Sequence, residues 1–296
     1  MSQPCFQSGI RLADHTTFRL GGAARAFCEA RTAREVVEGV WKAESMGMGW
    51  YVIGHGSNIL ASDDGYNGTV ISFKDSTSPA LNRDGTVTVS GGYSLRELIE
   101  FCACKGLAGL ENFSGIPGTV GGAIAGNAGA YGSSMGEMVG SILLLDRNGN
   151  MRKAEGPSLS FTYRSSSIRE RGEVVLDATI ALRRGDAAEI RALMQKRLSD
   201  RRAKHPDPAT VATAGSFFKN PTLGDGTRVA AGRLLEQAGC KDLRVGGARP
   251  WHTHANIIVT EGPSSASEVM ELAKIMSEKV GRVHGIELAT EVVYLE

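Results

Sequence analysis

Three clusters in this 296-residue chain carry residue types that could hold a ligand or move a proton. GHGSNIL at 54–60 follows the apolar run WYVIG at 50–54, and a loop of backbone N–H groups after a strand can hold a phosphate. It does not fit the Rossmann fingerprint, which would need a glycine where Ile59 stands, and it lacks the Gly-Lys-Ser/Thr ending of a P-loop. By itself the loop reads equally as a phosphate contact or a tight turn. GIPGTVGGAIAGNAGAYG at 115–132 has glycines at 115, 118, 121, 122, 126, 129 and 132, which let the backbone approach a flat or anionic ligand or pass through a cramped crossover. GSFFKNP at 215–221 combines a hydroxyl, two aromatic rings, a cation and an amide before proline. Ser216 has no Gly-x-Ser-x-Gly setting, so it is open as a proton donor or as a capping hydroxyl. Phe217 and Phe218 are expected to divide their duties, one anchoring the loop in a core and one lining a site.

The elements that must position these clusters can be read from pattern. Thr32 with Glu35 suggests a capping box for a helix bearing Val36, Val37, Val40 and Trp41 and ending near Gly47. Strands are expected at 50–54 and 68–73. Thr86–Val89 alternates as a strand does, and Ser94 with Glu97 can cap a helix carrying Leu95, Leu98, Ile99 and Cys102. The glycine content of 115–132 rules against one uninterrupted element there. Val139–Asp146 and Val174–Leu182 read as sheet, joined through the DRNG turn at 146–149. A helix from Ala187 to about Lys204, with Asp186 as its cap, stops at HPDP, 205–208. Beyond it come a helix at 228–238, a strand at 256–260, a helix over 266–283 capped by Ser265 and Glu268, and a final strand in ATEVVYL.

Composition narrows the classes. Lys plus Arg is 33 and Asp plus Glu is 32, a formal net charge of +1, which removes the simplest case for a nucleic-acid or anionic-membrane surface. Glycine is 38 of 296 where roughly 7% is usual, and it clusters without a repeat, so tight turns and close backbone approaches are expected. The odd set Cys5, Cys28, Cys102, Cys104 and Cys240 reads as reduced thiols in a cytoplasmic protein, mostly as small buried hydrophobes. The first residues lack a basic stretch followed by an apolar one, and there is no apolar run of 18 residues, so neither export nor membrane spanning is expected. The histidines and cysteines form no coherent metal-ligand set; His252 and His254, at i and i+2, could share a strand face without binding metal.

The ordered series HTTFRLGG at 15–22, GHGSNIL followed by Asp63, GIPGTVGGAIAGNAGAYG, YRSS at 163–166, GSFFKNP, AAGRLLEQAG at 230–239, HANIIV at 254–259 and GIELATEV at 285–292 covers essentially the whole chain. In this series the sequence resembles the UDP-N-acetylenolpyruvoylglucosamine reductase family. The resemblance implies an α+β fold, with a two-lobed FAD-binding domain of the PCMH type followed by an α/β substrate-binding domain. It places the first FAD lobe at 1–84, the second at 85–185, and the substrate domain, whose terminal strand returns to the active site, at 186–296. The short spacing between YRSS and GSFFKNP resembles the compact branch, which lacks an extra substrate-covering insertion. Thr290 stands where the family usually has proline, and Arg233 where many relatives carry an apolar or aromatic residue; Arg233 is open as a second cation near substrate or as an exposed helix residue.

Residue by residue, the resemblance implies noncovalent FAD contacts at Gly54, Gly56, Ser57, Asn58, Leu60, Gly118, Thr119, Gly121, Gly126, Asn127 and Gly129. Backbone donors suit a diphosphate without a mobile cation. It implies Arg164, Ser216 and Glu291 as the catalytic set, and Lys219, Asn220, Glu236, His254 and Asn256 as substrate contacts, with no metal. His55 is expected to be a nonligating polar side chain. The implied reaction runs in two halves. NADPH, the cosubstrate, gives hydride to flavin; reduced flavin then passes it to the vinyl carbon of UDP-N-acetylglucosamine enolpyruvate, Ser216 protonates the adjacent carbon, and Arg164 and Glu291 stabilise the developing charge. A cytoplasmic monomer is expected, with a weak homodimer as the alternative. Two competing readings are another FAD oxidoreductase on the same scaffold and a noncatalytic nucleotide-sugar-binding protein.

Overall fold

The computed structural model describes residues 5–296. The chain divides into two compact units. The first contains Ala26–His55, Gly68–Arg201 and the described residues up to Gln7; the second contains Ser8–Arg25, Gly56–Asn67 and Arg202–Glu296.

In the first unit, a three-stranded sheet orders Ala24–Ala30, Tyr66–Phe73 and Trp50–Ile53, with the last two strands parallel. The helix Ala33–Ser45 covers it. Thr32 accepts the Glu35 N–H at 3.2 Å, and Val36, Val37, Val40 and Ala43 are buried. Gly39 allows the close approach, since a methyl there would lie 3.3 Å from Ile71 Cδ1. A five-stranded antiparallel sheet orders Met151–Glu155, Val139–Leu145, Val174–Ile180, Val87–Ser90 and Ala80–Leu81. Leu145 and Leu176 of this sheet join the core under the Ala33–Ser45 helix, which makes the two lobes one packed body. The helix Leu95–Cys104, capped by Ser94, and the short helix Val120–Ala125 fill the other core.

The second unit is built on the strands Ala248–Trp251 and His254–Thr260 and the helices Ala231–Gln237 and Ala266–His284. The long helix begins with a full capping box between Ser265 and Glu268 and ends at Gly285, φ 67°. Asp63 reaches its first turn from 203 residues earlier, accepting the Ala266 N–H at 2.7 Å and the Ser267 N–H and Oγ–H at 2.9 and 2.7 Å. Nearby in sequence, Ile59–Ala61 pairs in parallel with Val293–Leu295. These two attachments bind the 56–67 segment to the C-terminal unit.

Several expectations are adjusted. The helix expected to open the third domain, Ala187–Arg202, sends Ile190 and Met194 into the core of the five-stranded sheet, so through Arg201 it packs with the first unit. The expected 228–238 helix is only Ala231–Gln237, because Val229 is still extended and donates to Pro221 O. His252 lies in the two-residue turn between paired Trp251 and His254, so the two histidines share no strand face. Phe217 and Phe218 are both buried, edge to face at 5.2 Å, so neither lines a site. Cys28, Cys102 and Cys240 are buried, with burial pushing the Cys28 thiol up to about 11 and Cys102 to about 12; Cys5 and Cys104 are exposed. Among the described residues, no helix is long and apolar enough to cross a membrane.

Candidate active site

In the first unit the glycine-rich segment is stitched to the loop entering the Leu95 helix. Gly121 N–H donates to Gly91 O at 2.8 Å, Val120 N–H to Tyr93 O at 2.9 Å, and Leu95 N–H to Gly118 O at 3.1 Å. A methyl on Gly121 would lie 2.9 Å from Gly91 O, and one on Gly54 would lie 2.4 Å from Thr119 Oγ1. The Thr119 hydroxyl caps the Val120–Ala125 helix by accepting the Gly122 N–H. Loop 54–55 therefore comes up against Thr119 so closely that any side chain at 54 would fill the gap, a close backbone approach of the kind a bound diphosphate needs. The residues present fit an FAD pyrophosphate on this ground. Burial, followed by the charge of Lys74, holds His55 below its ordinary value, so it stays neutral at pH 7.

Arg164 sits in the tight turn between the paired strands Phe161–Thr162 and Ser165–Ser166, at φ 55°. A non-glycine residue in that region costs roughly 1–2 kcal/mol, and the surrounding bonds hold it there. Its Nη2 donates to Gly129 O at 2.7 Å, and a methyl on Gly129 would lie 2.8 Å from Nη1. Asn127, also at positive φ, is buried. Its Nδ2 donates to Thr162 O at 2.8 Å and its Oδ1 accepts the Gly136 N–H at 2.9 Å. The Asn127 side chain thus holds the Arg164 turn.

Sequence reasoning missed Tyr131, Arg197 and Arg201. Arg197 lies over the Tyr131 ring at 3.7 Å and donates through Nε to Asn112 Oδ1 at 3.0 Å. Burial lowers the pKa of Arg201; Tyr131 opposes this and the neighbouring charge of Arg164 adds to it. The signal that could have found them is the i, i+4 spacing of two arginines on one helix, four residues before HPDP begins. The first unit therefore carries three guanidinium groups around one glycine-rich tip, an electropositive seat for an anion.

In the second unit the extended GSFFKNP segment is bonded on both sides. Ser216 bridges Ile257 in the His254–Thr260 strand, and Phe218 bridges Thr290. Phe217 N–H donates to Asn256 O at 2.7 Å, Glu291 N–H to Phe217 O at 2.8 Å, and Lys219 N–H to Ala289 O at 2.8 Å. Ser216 and Glu291, both half-buried, thus stand on neighbouring, directly bonded segments. The 218–290 bridge draws its bonds from residues 219 and 291. It makes no demand on the Thr290 N–H, which is why either threonine or proline fits that position.

Upstream, Thr17 ties two loops together. Its N–H donates to Gly56 O at 3.2 Å and its Oγ1 to Thr213 O at 2.6 Å. Gly56 has φ 63°, and a methyl there would lie 2.2 Å from His15 O. Gly56, Ser57, Asn58 and Leu60 belong to this unit, while Gly54 and the 118–129 contacts belong to the first. Leu60 places its side chain in the core, so only its backbone can meet a ligand.

Among the expected substrate residues, Lys219 is half-buried beside Phe218. Asn220 Oδ1 accepts the Ala231 N–H at 2.9 Å, capping the Ala231–Gln237 helix from outside. Glu236 is exposed and pairs with Lys241 at 3.0 Å. His254 is held below its ordinary value first by burial and is raised by Glu236; its Nδ1 accepts the Asn256 N–H at 3.3 Å, consistent with a neutral ring. Asn256 is buried, and its side-chain amide is bonded to the Phe218 backbone, so it positions the segment bearing Ser216. Arg233 is exposed on its helix.

The fold and the glycine-lined loops define an FAD-binding oxidoreductase. A family model for an FAD binding domain matches residues 24–155, and one for the C-terminal domain of UDP-N-acetylenolpyruvoylglucosamine reductase matches 207–295. Curated enzymes named UDP-N-acetylenolpyruvoylglucosamine reductase are similar over nearly the full length. The one from Anoxybacillus flavithermus is 37% identical over 95% of this chain and 91% of its own. That of Heliobacterium modesticaldum is 35% identical over 94% and 87%. The crystal structure of the Thermus caldophilus reductase superposes with a TM-score of 0.81 at 28% identity, covering 99% of this chain and 100% of that one. The chain belongs to the UDP-N-acetylenolpyruvoylglucosamine reductase family, also called UDP-N-acetylmuramate dehydrogenases. Its cofactor is FAD and its cosubstrate NADPH.

Proposed function

We propose that this chain reduces UDP-N-acetylglucosamine enolpyruvate to UDP-N-acetylmuramate, a step of peptidoglycan precursor synthesis, as a cytoplasmic monomer. The observation that carries the reading is the direct bonding of the extended stretch bearing Ser216 to the segment bearing Glu291, through Glu291 N–H to Phe217 O at 2.8 Å. FAD, held by the glycine-rich loops, would supply the hydride chemistry between NADPH and the substrate vinyl carbon distal to the ether. Ser216 gives a proton to the adjacent carbon, and solvent restores the hydroxyl proton. Arg164, and Glu291 in its protonated form as a hydrogen-bond donor, stabilise the negative charge that develops on that carbon and its carboxylate before the proton arrives. Lys219 neutralises the diphosphate of the nucleotide sugar.

In function we divide the chain into two FAD lobes, 1–84 and 85–185, and a substrate domain, 186–296, although in packing 187–201 goes with the first unit and segments 8–25 and 56–67 go with the C-terminal residues. The test is anaerobic. Flavin bound to the purified protein is reduced with NADPH, and UDP-N-acetylglucosamine enolpyruvate is then added. Return of the oxidised absorbance together with UDP-N-acetylmuramate supports the proposal. Reduction without substrate-dependent reoxidation would point to another substrate on the same scaffold, and failure to bind flavin would point to a noncatalytic nucleotide-sugar protein.

A further inference from the structure

Glu291 is pinned through both sides of its backbone. Its N–H donates to Phe217 O at 2.8 Å, and its C=O accepts Asn58 Nδ2 at 3.0 Å. Asn58 takes the same strand a second time, its own C=O accepting the Val293 N–H at 3.0 Å. That bond is the first rung of the parallel ladder Ile59↔Val293, Leu60↔Tyr294, Ala61↔Leu295, which Ser62 N–H to Leu295 O continues at 2.7 Å.

A parallel ladder carried one rung further would run from the Asn58 backbone N–H to Glu291 O. The Asn58 side chain occupies that position instead. The backbone is meanwhile turning out of the strand, with Gly56 at φ 63°. Asparagine is the residue that meets both demands. Its amide reaches the carbonyl that the departing main chain no longer faces, and it donates where the isosteric aspartate would present only acceptors.

We propose that Asn58 is a positioning residue for Glu291: it fixes the backbone from which the carboxyl group projects, and it ties the 56–60 loop to the active-site segment. This rests on the role given to Glu291 above and supplies a reason for an asparagine here. It also makes the shape of the loop and the placement of Glu291 one structural variable.

The test uses the FAD-loaded full chain carrying Asn58→Asp. Stopped-flow absorbance follows reduction by NADPH and, separately, reoxidation by UDP-N-acetylglucosamine enolpyruvate, and hydrogen exchange follows the peptide covering 289–295. Reoxidation per reduced flavin is expected to slow by about 10²-fold, the scale of a misplaced catalytic group, and the ratio of reoxidation to reduction to fall by about tenfold or more. Exchange in 289–295 is expected to quicken. A ratio within about twofold of the wild type, or unchanged exchange, overturns the proposal. If Asn58→Asp does not accumulate as folded protein, Asn58→Ala removes the donor without adding charge and is judged by the same readouts. If the wild-type enzyme is itself not reoxidised by this substrate, the functional reading fails, and exchange alone then decides the tie: quickened exchange upholds it and unchanged exchange sinks it.

Discussion

Asn256 grips the peptide of Phe218 at both ends. The Phe218 N–H donates to Asn256 Oδ1 at 2.9 Å, and Asn256 Nδ2 donates to Phe218 O at 2.8 Å. Both partners are almost wholly buried, at 2% exposure each. Two residues upstream stands Ser216, whose direction is set by this segment. An exposed asparagine would do little here; a buried one supplies both a donor and an acceptor to backbone groups that are themselves buried.

Asn256→Ala strands a buried donor and a buried acceptor, each costing about 1–3 kcal/mol. The expected loss is about 2–5 kcal/mol in urea unfolding, accompanied by a lower kcat in whatever protein remains folded. An unfolding midpoint equal to the wild type would show that the clamp holds nothing.

Ser216→Ala is expected to keep FAD and substrate binding while slowing flavin reoxidation by the enolpyruvyl substrate about 10²–10⁴-fold, the usual consequence of losing a positioned proton donor. Stopped-flow traces with near-normal reoxidation would reassign the serine to a structural role.

Gly54→Ala places a methyl 2.4 Å from Thr119 Oγ1 and 2.8 Å from Thr119 Cγ2. The loop must shift, and flavin retained through gel filtration is expected to fall. Pairing the change with Thr119→Ala removes both clashing atoms, so the double variant should hold more flavin than Gly54→Ala alone. Equal retention in wild type and Gly54→Ala would show that the approach of these loops does not matter to the cofactor.

Asp63 governs a pH-dependent part of stability. Burial by itself raises its pKa, and the hydrogen bonds from the Ser267 hydroxyl and the Ala266 and Ser267 N–H groups outweigh that, leaving it below its ordinary value. A folded value below the unfolded one means stabilisation that is full above about pH 4 and is lost as pH falls through the folded value. Asp63→Ala should cost about 0.5–2 kcal/mol at neutral pH, as for other lost caps. The gap from wild type should close in acid; a gap of constant size from pH 7 down to about 3 would contradict the linkage.

Local signals were readable in the sequence. Thr32, Ser94 and Ser265 cap their helices as their spacing to Glu35, Glu97 and Glu268 suggests, because a cap needs only residues within one turn. Asn58, Asn127 and Asn256, expected as ligand contacts, each also give the side chain to a distant peptide. Nothing within a few positions of these residues marks that role. Asp186 was legible as a cap, accepting Ala188 and Glu189 N–H groups, yet the core that receives Ile190 and Met194 was not. The strand Ala248–Trp251 was hidden by Pro250, which normally argues against a strand; here it lies in a hairpin, opposite Ile258. Tyr131, Arg197 and Arg201 escaped because their meeting depends on how a helix packs.

The parallel pairing of Ile59–Ala61 with Val293–Leu295 also sets an order of events during synthesis. Asn58 and Glu291 are 233 residues apart, and at the usual pace of about 5–20 residues per second the early strand waits some ten seconds or more for its mate. Over that interval it has an unpaired edge on this side, the state in which nascent chains associate wrongly. The same delay means that a ribosome-bound chain, however well its first lobes have folded, cannot yet present Glu291. Competence for chemistry waits on the synthesis of 291–295, in a single late closure of that segment onto the ladder begun at 59–61.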